Sequence, residues 1–114
     1  MKMKNSKTTE VPRFEVSSGN VFKDLKHPNP EEAQTKADLI VVISRVIAER
    51  NLKQVDAARI LGIDQPKVSK LLRGYFGEYS VERLIRFLNR LGIDVEIKIK
   101  RVKGGGLGQV HVVA

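Results

Sequence analysis

The sequence predicts a mainly α-helical fold of four to five helices, followed by a short β-strand or hairpin at the C-terminus. Three observations lead to this prediction. Apolar residues recur at helical spacing between residues 30 and 91, capping residues and glycines divide that stretch into segments, and the apolar period changes to two from Ile93. With 114 residues, the chain has room for one domain and short tails.

The composition predicts a soluble protein with an anionic partner. Lys and Arg number 21 against 13 Asp and Glu, which gives a net charge of +8. Nucleic acid is the commonest partner of such a basic chain. The absence of cysteine excludes disulfides and thiolate metal sites, and no apolar run approaches the roughly 20 residues of a membrane span. We therefore expect a cytoplasmic protein with neither a metal nor a cofactor.

Three regions are expected along the chain. Residues 1–13 are polar and rich in lysine, which is typical of a flexible basic tail. Residues 14–92 should form the folded domain, in which 14–25 is an irregular N-terminal extension with scattered apolar residues. Residues 93–114 should form the C-terminal strand or hairpin, which is a candidate dimerisation element.

The first helix is predicted over residues 30–50. Asn29 is a good N-cap, Pro30 suits the first helical position, and the acidic pair that follows favours the positive end of the helix dipole. Small or apolar residues then line one face at a four-three-four-three spacing: Ala33, Ala37, Ile40, Ser44 and Ile47. The β-branched run 40–43 could form a buried strand instead, but the caps and the continuous spacing favour a helix.

Three shorter helices are predicted after it, and each ends at a glycine. They run from Leu52 to Leu61, from the N-cap Asp64 to about Arg73, and from the N-cap Ser80 to Leu91, with Gly62, Gly74 and Gly92 as the terminating glycines. Pro66 falls in the first turn of the third helix, where its missing N–H group costs nothing.

After Gly92, four β-branched residues alternate with four charged residues, which predicts a half-buried strand. The apolar set is Ile93, Val95, Ile97 and Ile99, and the charged set is Asp94, Glu96, Lys98 and Lys100. Such a strand has an unpaired edge. Either residues 109–113 cover this edge in an intrachain hairpin, or the edges of two subunits pair and build a dimer.

The segment from Gln54 to Leu71 has the residue spacing of a helix-turn-helix. Counting Gln54 as the first position, Ala58 is fifth, Gly62 is ninth and Val68 is fifteenth. A small fifth residue lets two helices cross closely, the glycine permits the positive φ of a tight turn, and Val68 points into the core. The expected result is two helices at a wide angle, with the second exposed along one face.

Residues 52–74 resemble the Xre family of helix-turn-helix proteins, which includes phage repressors and Cro-like proteins. The matching segments are Gln54, Ala57-Ala58, Leu61-Gly62-Ile63, Gln65-Pro66-Lys67-Val68-Ser69 and Leu71-Leu72-Arg73-Gly74. The resemblance implies a lambda-repressor-like domain that binds double-stranded DNA. Lys53 departs from the Thr or Ser that usually caps the second helix, which weakens this cap, and Asn51 is the expected substitute.

The flanking segments resemble a bacterial branch of HigA-like antitoxins and Xre-type regulators. These segments are residues 17–25, 29–33, 84–91 and 92–97. The resemblance implies a homodimeric repressor that is the antitoxin of a type II toxin-antitoxin pair, represses its own operon and binds a small RelE-like ribonuclease toxin. The alternatives are a stand-alone Xre-type regulator without a toxin, and an interaction adaptor that keeps the fold without binding DNA.

The third helix supplies the candidate base contacts, because in this motif it enters the major groove. If Val68 and Leu71 face inward, the base-contacting set faces outward: Gln65, Pro66, Ser69 and Lys70. The family pattern implies the same set. The candidate phosphate contacts are Lys53, Gln54, Lys67, Arg73 and Tyr75. A palindromic operator with two half-sites would bind a homodimer.

No catalytic residue is predicted. The glycine cluster 104–108 lacks the Gly-Lys-Ser/Thr ending of a phosphate-binding loop. Ser69 and Lys70 are adjacent, and no base is placed to activate the serine. Glu31 and Glu32 are neighbours on a helix, so their side chains diverge by about 100° instead of converging on a substrate.

Overall fold

Residues 29–114 are described by the computed structural model, and they contain four α-helices. These helices are α1 (Pro30–Glu49), α2 (Gln54–Leu61), α3 (Gln65–Leu72) and α4 (Val81–Arg90). Each one lies within a predicted helix, and none of the four is long and apolar enough to cross a membrane. The predicted basic tail and the predicted extension, residues 14–25, lie outside the described residues.

The start of α1 is held by the predicted cap. The Asn29 side-chain oxygen accepts a hydrogen bond from the backbone N–H of Glu32 at 3.2 Å, and the Asn29 amide donates to the Glu32 carboxylate at 2.9 Å. Pro30 lies in the first turn, as its fixed φ favours. These local contacts satisfy groups that the first helical turn otherwise leaves unpaired.

The prediction that Asn51 caps α2 is wrong, because Asn51 ends α1 instead. It has a left-handed backbone with φ of 54°, and its N–H donates to the carbonyl of Ala48. The next residue, Leu52, donates back to Ile47. The N-cap of α2 is Lys53, whose side chain makes no capping hydrogen bond. Asn tolerates the left-handed region better than most residues, which explains its place at the end of a helix.

The turn between α2 and α3 has the predicted tight geometry. Gly62 adopts φ of 77°, and both Gly62 and Ile63 donate their N–H groups to the carbonyl of Ala58, at 2.8 and 3.2 Å. Two side chains of α2, those of Ala57 and Ala58, are buried. Their small size allows α2 to cross close to α3, against which it packs.

All four helices contribute to one core. Helix α1 packs against α3 and α4, and α2 packs against α3 and α4. The buried members of this core are Leu39, Ile40, Val42, Ile43, Val46, Ile47, Ala57, Ala58, Leu61, Val68, Leu71, Tyr79, Leu84, Phe87, Leu88 and Leu91. Six of these sixteen residues come from α1, more than from any other helix, so α1 is the support on which the helix-turn-helix is built.

Two arginines tie the ends of α4 and α1 to neighbouring backbone. The Arg90 Nε donates to the carbonyl of Ile60 at 2.7 Å, and an Arg50 guanidinium nitrogen donates to the carbonyl of Leu91. Both carbonyls lie near helix C-terminal ends, where intrahelical donors run out. The guanidinium groups therefore satisfy terminal carbonyls across elements that are distant in sequence.

The predicted C-terminal strand is not observed in the part of the chain that the structure describes. Residues 93–102 form no helix, strand or turn, residues 103–106 turn, and an isolated bridge at Val113 is the only strand-like pairing assigned within residues 29–114. The partly buried Ile93 and Val95 pack against the core, whereas Ile97 and Ile99 are exposed. A strand needs a neighbour for its backbone groups, and local alternation alone does not supply one.

We expect Val68→Ala to lower the free energy of unfolding by about 2 kcal/mol or more, because it removes two buried methyl groups and leaves a cavity. Val68 is 0% exposed. The matched control is Val55→Ala on α2, where the same side chain is 51% exposed, so we expect a change within about 0.5 kcal/mol. Urea unfolding followed by circular dichroism measures both. Equal losses for the two variants would contradict this description of the core.

Candidate nucleic-acid interface

Helix α3 is amphipathic and is fixed by its apolar side. Val68 and Leu71 are both 0% exposed and point into the core. The four predicted base contacts lie on the remaining surface, where Gln65, Pro66 and Lys70 are exposed and Ser69 is half-buried. The structure therefore brings the whole predicted base-contacting set onto one polar ridge, which we define as Gln65, Pro66, Ser69, Lys70 and Arg73.

The N-terminal end of α3 is capped by the side chain of Asp64, the residue just before the helix. The Asp64 carboxylate accepts a hydrogen bond from the backbone N–H of Lys67 at 3.0 Å, and Pro66 lies in the first turn. The cap fixes where the helix begins and so fixes the backbone position of Gln65 at its start. The Lys67 side chain is exposed at the flank of the ridge.

The lysines of α3 have no intramolecular partner among residues 29–114. Neither the Lys67 nor the Lys70 ammonium group lies in an ion pair, whereas Lys36 pairs with Glu32 at 3.6 Å on α1. Two positive charges therefore stand on the exposed side of α3 without a protein carboxylate to neutralise them. Such groups are suited to an anionic ligand.

A second group of predicted contacts lies at the start of α2. Lys53 and Gln54 are both exposed, and no side chain caps this helix. The first N–H groups of an uncapped helix point outward and carry the positive end of the dipole. The replacement of the usual Thr or Ser by Lys53 thus exchanges a capping hydrogen bond for a positive charge at the same helix end.

Arg73 and Tyr75 form a third group just beyond α3. The Arg73 guanidinium carbon lies 5.7 Å from the centre of the Tyr75 ring, and Arg73 Nε donates to the Ser69 carbonyl at 3.4 Å. The Tyr75 side chain is 66% exposed, and its backbone N–H donates to Lys70. The contacts orient the guanidinium at the C-terminal end of the polar ridge.

Three arginines of α4 were not among the sequence-predicted contacts, and the structure shows that each has a partner inside the fold. Arg83 lies 5.2 Å from the Tyr79 ring centre and 5.5 Å from that of Phe87. Arg86 pairs with Glu82 at 2.9 Å, and Arg90 bonds the backbone of α2. The groove between α4 and the α2–α3 turn is lined by Leu61, Gly62, Ser80, Glu82, Arg83, Arg86, Phe87 and Arg90. The basic count over 67–90 signals these residues, but the count alone does not separate them from the lysines of α3.

Tyr79 is a buried residue of the core that lies just before α4. Burial raises the pKa of its phenol, the carboxylates of Glu78 and Asp64 act in the same direction, and Arg83 opposes them. The phenol ring also meets Phe87 edge-on, with 5.5 Å between ring centres. Tyr79 thus packs against α4 through Phe87 and Arg83.

The chemistry available on this surface is that of binding. Its side chains offer an amide, a hydroxyl, ammonium and guanidinium groups. Within residues 29–114, no three His, Cys, Asp or Glu side chains are grouped so that they could hold a metal ion.

Two helices joined by a glycine turn, with the second presenting a polar ridge to solvent, define a helix-turn-helix domain. Residues 21–100 match a protein family described as "Helix-turn-helix domain", and the chain belongs to this family. A solved structure described as "Putative XRE Family Transcriptional Regulator" is similar, with a TM-score of 0.72 and 43% sequence identity; the match covers 76% of this chain and 99% of that chain. No curated protein matches the sequence.

We expect Gly62→Ala to lower the free energy of unfolding by about 1–2 kcal/mol, because alanine is strained in the left-handed region. Space is not the cause, since the atom nearest an added Cβ would be Arg90 Nη2 at 3.6 Å. Gly62→Asn should lose less, because asparagine tolerates positive φ. Gly77→Ala is the control: its backbone φ is not positive and nothing lies near the added Cβ. Equal losses at Gly62 and Gly77 in urea unfolding would exclude backbone strain as the reason for this glycine.

Proposed function

We propose that the protein is a sequence-specific transcriptional repressor that binds a palindromic DNA operator as a homodimer. The observation that carries the proposal is the outward polar ridge of α3, which Val68 and Leu71 anchor from behind. The helix-turn-helix family and the similarity to the XRE-family regulator structure support a DNA-binding transcriptional regulator.

In the proposed complex, the N-terminal half of α3 enters the major groove. Gln65 can bond an adenine bidentately, and Lys70 can donate to the O6 or N7 of a guanine. Pro66 offers apolar contact to a thymine methyl, and the half-buried Ser69 offers a hydroxyl close to the helix axis. These four side chains would read the bases of one half-site.

The phosphate contacts proposed here lie around the four base-reading side chains. Lys53 and Gln54 at the uncapped start of α2 would hold one phosphate region, and Arg73 with Tyr75 would hold another beyond the end of α3. Lys67 lies at the flank and suits either role. Such contacts position the protein and supply most of its salt-sensitive affinity, but they do not read sequence.

A homodimer is proposed because one eight-residue recognition helix reads few base pairs. Two helices related by a two-fold axis would read half-sites about 34 Å apart, and the operator would have the same symmetry. The surface proposed to join the subunits is the C-terminal segment, residues 93–114.

The finer proposal is that this repressor is the antitoxin of a type II toxin-antitoxin pair and represses its own operon. It is supported by the resemblance of residues 17–25, 29–33, 84–91 and 92–97 to the HigA-like branch. The proposed partner is a small RelE-like ribonuclease. A stand-alone regulator would have the same DNA surface without that partner, and an adaptor would have the fold without DNA binding.

Selection of the full chain on a pool of random DNA duplexes should enrich a palindrome with half-sites about one helical turn apart. On the enriched duplex, Gln65→Ala and Lys70→Ala should each lose about 1–3 kcal/mol of binding free energy and relax specificity at one base pair of each half-site. Fluorescence anisotropy with the selected and base-substituted duplexes measures both effects.

The controls are Glu49→Ala and Arg86→Ala, which truncate a side chain of glutamine's length and remove one positive charge at exposed positions outside both the polar ridge and the C-terminal segment. Arg73→Ala should weaken binding to all duplexes equally. It should also reduce the slope of log binding constant against log salt concentration by about the contribution of one phosphate contact. If no sequence is enriched, or if the α3 variants and the controls bind alike, the repressor proposal is wrong and the adaptor is favoured.

For the antitoxin proposal, we expect the tagged full chain to co-purify with the product of a neighbouring short, basic open reading frame. Its co-expression should relieve the growth arrest that the neighbour causes alone. Gln65→Ala should leave both results unchanged, because toxin binding does not require base reading. DNA binding without capture of any neighbouring product would favour the stand-alone regulator.

A further inference from the structure

The C-terminal segment carries an apolar face that residues 29–114 leave uncovered at one end. Ile93 and Val95 are half-buried against the core, but Ile97 and Ile99 are 78% and 90% exposed. β-branched side chains of this size are normally covered when they stand in one row. The uncovered half of the row continues directly from the half that the core already covers.

The charged residues between these apolar ones are divided by sign. Asp94 and Glu96 come first, Lys98 and Lys100 come second, and all four are exposed. The segment 94–100 therefore has an acidic half and a basic half around Ile97. Reversing its direction exchanges the two halves, so the segment is complementary to an antiparallel copy of itself.

We propose that two copies of this chain pair through residues 94–100 as antiparallel β-strands centred on Ile97. In this register, Asp94 lies opposite Lys100 of the partner subunit, and Glu96 lies opposite Lys98 of the partner subunit. The two-fold axis repeats both pairs, so four opposite-charge pairs form. Directly opposed residues of an antiparallel pair share one face and interact, and opposite charges there are favourable.

The same register covers the exposed apolar row. Ile97 lies opposite Ile97 of the partner subunit on the axis, and Val95 lies opposite Ile99 of the partner subunit. Because Val95 already packs against the core, the partner's Ile99 would extend that apolar surface. The pairing also gives partners to the strand-edge N–H and C=O groups, and a two-fold contact of a patch with itself closes after two subunits.

Other registers place like charges opposite each other or place apolar side chains opposite charged ones. Centring the pair on Glu96 or Lys98 places that residue opposite its own copy, and centring it on Val95 or Ile99 places two acidic or two basic residues opposite each other. Registers whose two-fold axis falls between two residues put apolar side chains opposite charged ones. A parallel pair in register opposes Asp94 to Asp94 and Lys98 to Lys98. Only the register centred on Ile97 satisfies both faces.

This inference rests on the proposed homodimer and deepens it, since it names the residues that face each other. It is tested on the full chain without DNA, by sedimentation equilibrium. The acidic-block variant is Asp94→Lys with Glu96→Lys, and the basic-block variant is Lys98→Glu with Lys100→Glu. Each variant alone opposes only like charges, so we expect its dimer dissociation constant to rise at least tenfold.

Mixing the two block variants should restore association, because all four opposed pairs of the heterodimer again have opposite charge. The chain with all four substitutions should dimerise with itself like the wild type. Glu49→Lys with Glu78→Lys is the control, since it changes the net charge as much as the acidic-block variant does at exposed positions elsewhere. Its dimer should be unaffected.

The inference is overturned if the block variants dimerise like the wild type, or if neither the mixture nor the four-fold variant recovers association. The first result would favour the intrachain hairpin or another dimer surface. A wild-type chain that stays monomeric would overturn both this inference and the proposed dimer. The DNA-binding measurements on the Gln65 and Lys70 variants test base reading by α3 independently. A failure of base reading can therefore be told apart from a failure of this pairing.

Discussion

The burial of Val68 and Leu71 behind α3 is the constraint on which the candidate interface depends. Both side chains are inaccessible to solvent, so the helix cannot rotate about its axis without exposing one of them. The polar ridge therefore has a fixed orientation, and its position along the axis is fixed by the Asp64 cap. The core and the cap together determine where the polar groups of an eight-residue helix stand.

The distribution of positive charge follows from which basic groups the fold uses for itself. Arg50 and Arg90 satisfy backbone carbonyls at helix ends, and Arg83 stacks on aromatic rings. Guanidinium groups suit these roles because they are planar and carry several donors. The ammonium groups of the α3 lysines have no such partner among residues 29–114. The net charge of the whole chain does not show this difference between basic groups that have partners in the fold and basic groups that do not.

Most of the helical fold could be predicted because its signals are local. Asn29, Asp64 and Ser80 each accept a hydrogen bond from a backbone N–H three residues later, and a cap of this kind depends only on neighbouring sequence. Asn51 was misassigned because it lies between two helices and can serve either, and the tertiary packing decides. The C-terminal strand could not be established, because strand formation needs a pairing partner that alternation does not identify. The role of Arg90 could not be predicted, because it depends on a contact with Ile60, 30 residues away in sequence.

The hydrogen bond from Arg90 to Ile60 has a consequence for protein engineering. It joins the last residue of α4 to the last turn of α2, directly before the glycine that aims α3. A graft that moves only residues 54–72 to a new scaffold would carry the Ile60 carbonyl with it and leave the Arg90 guanidinium behind. The transplantable unit of this domain therefore extends through Arg90, and chimeras cut after α3 would lose this contact between α4 and the end of α2.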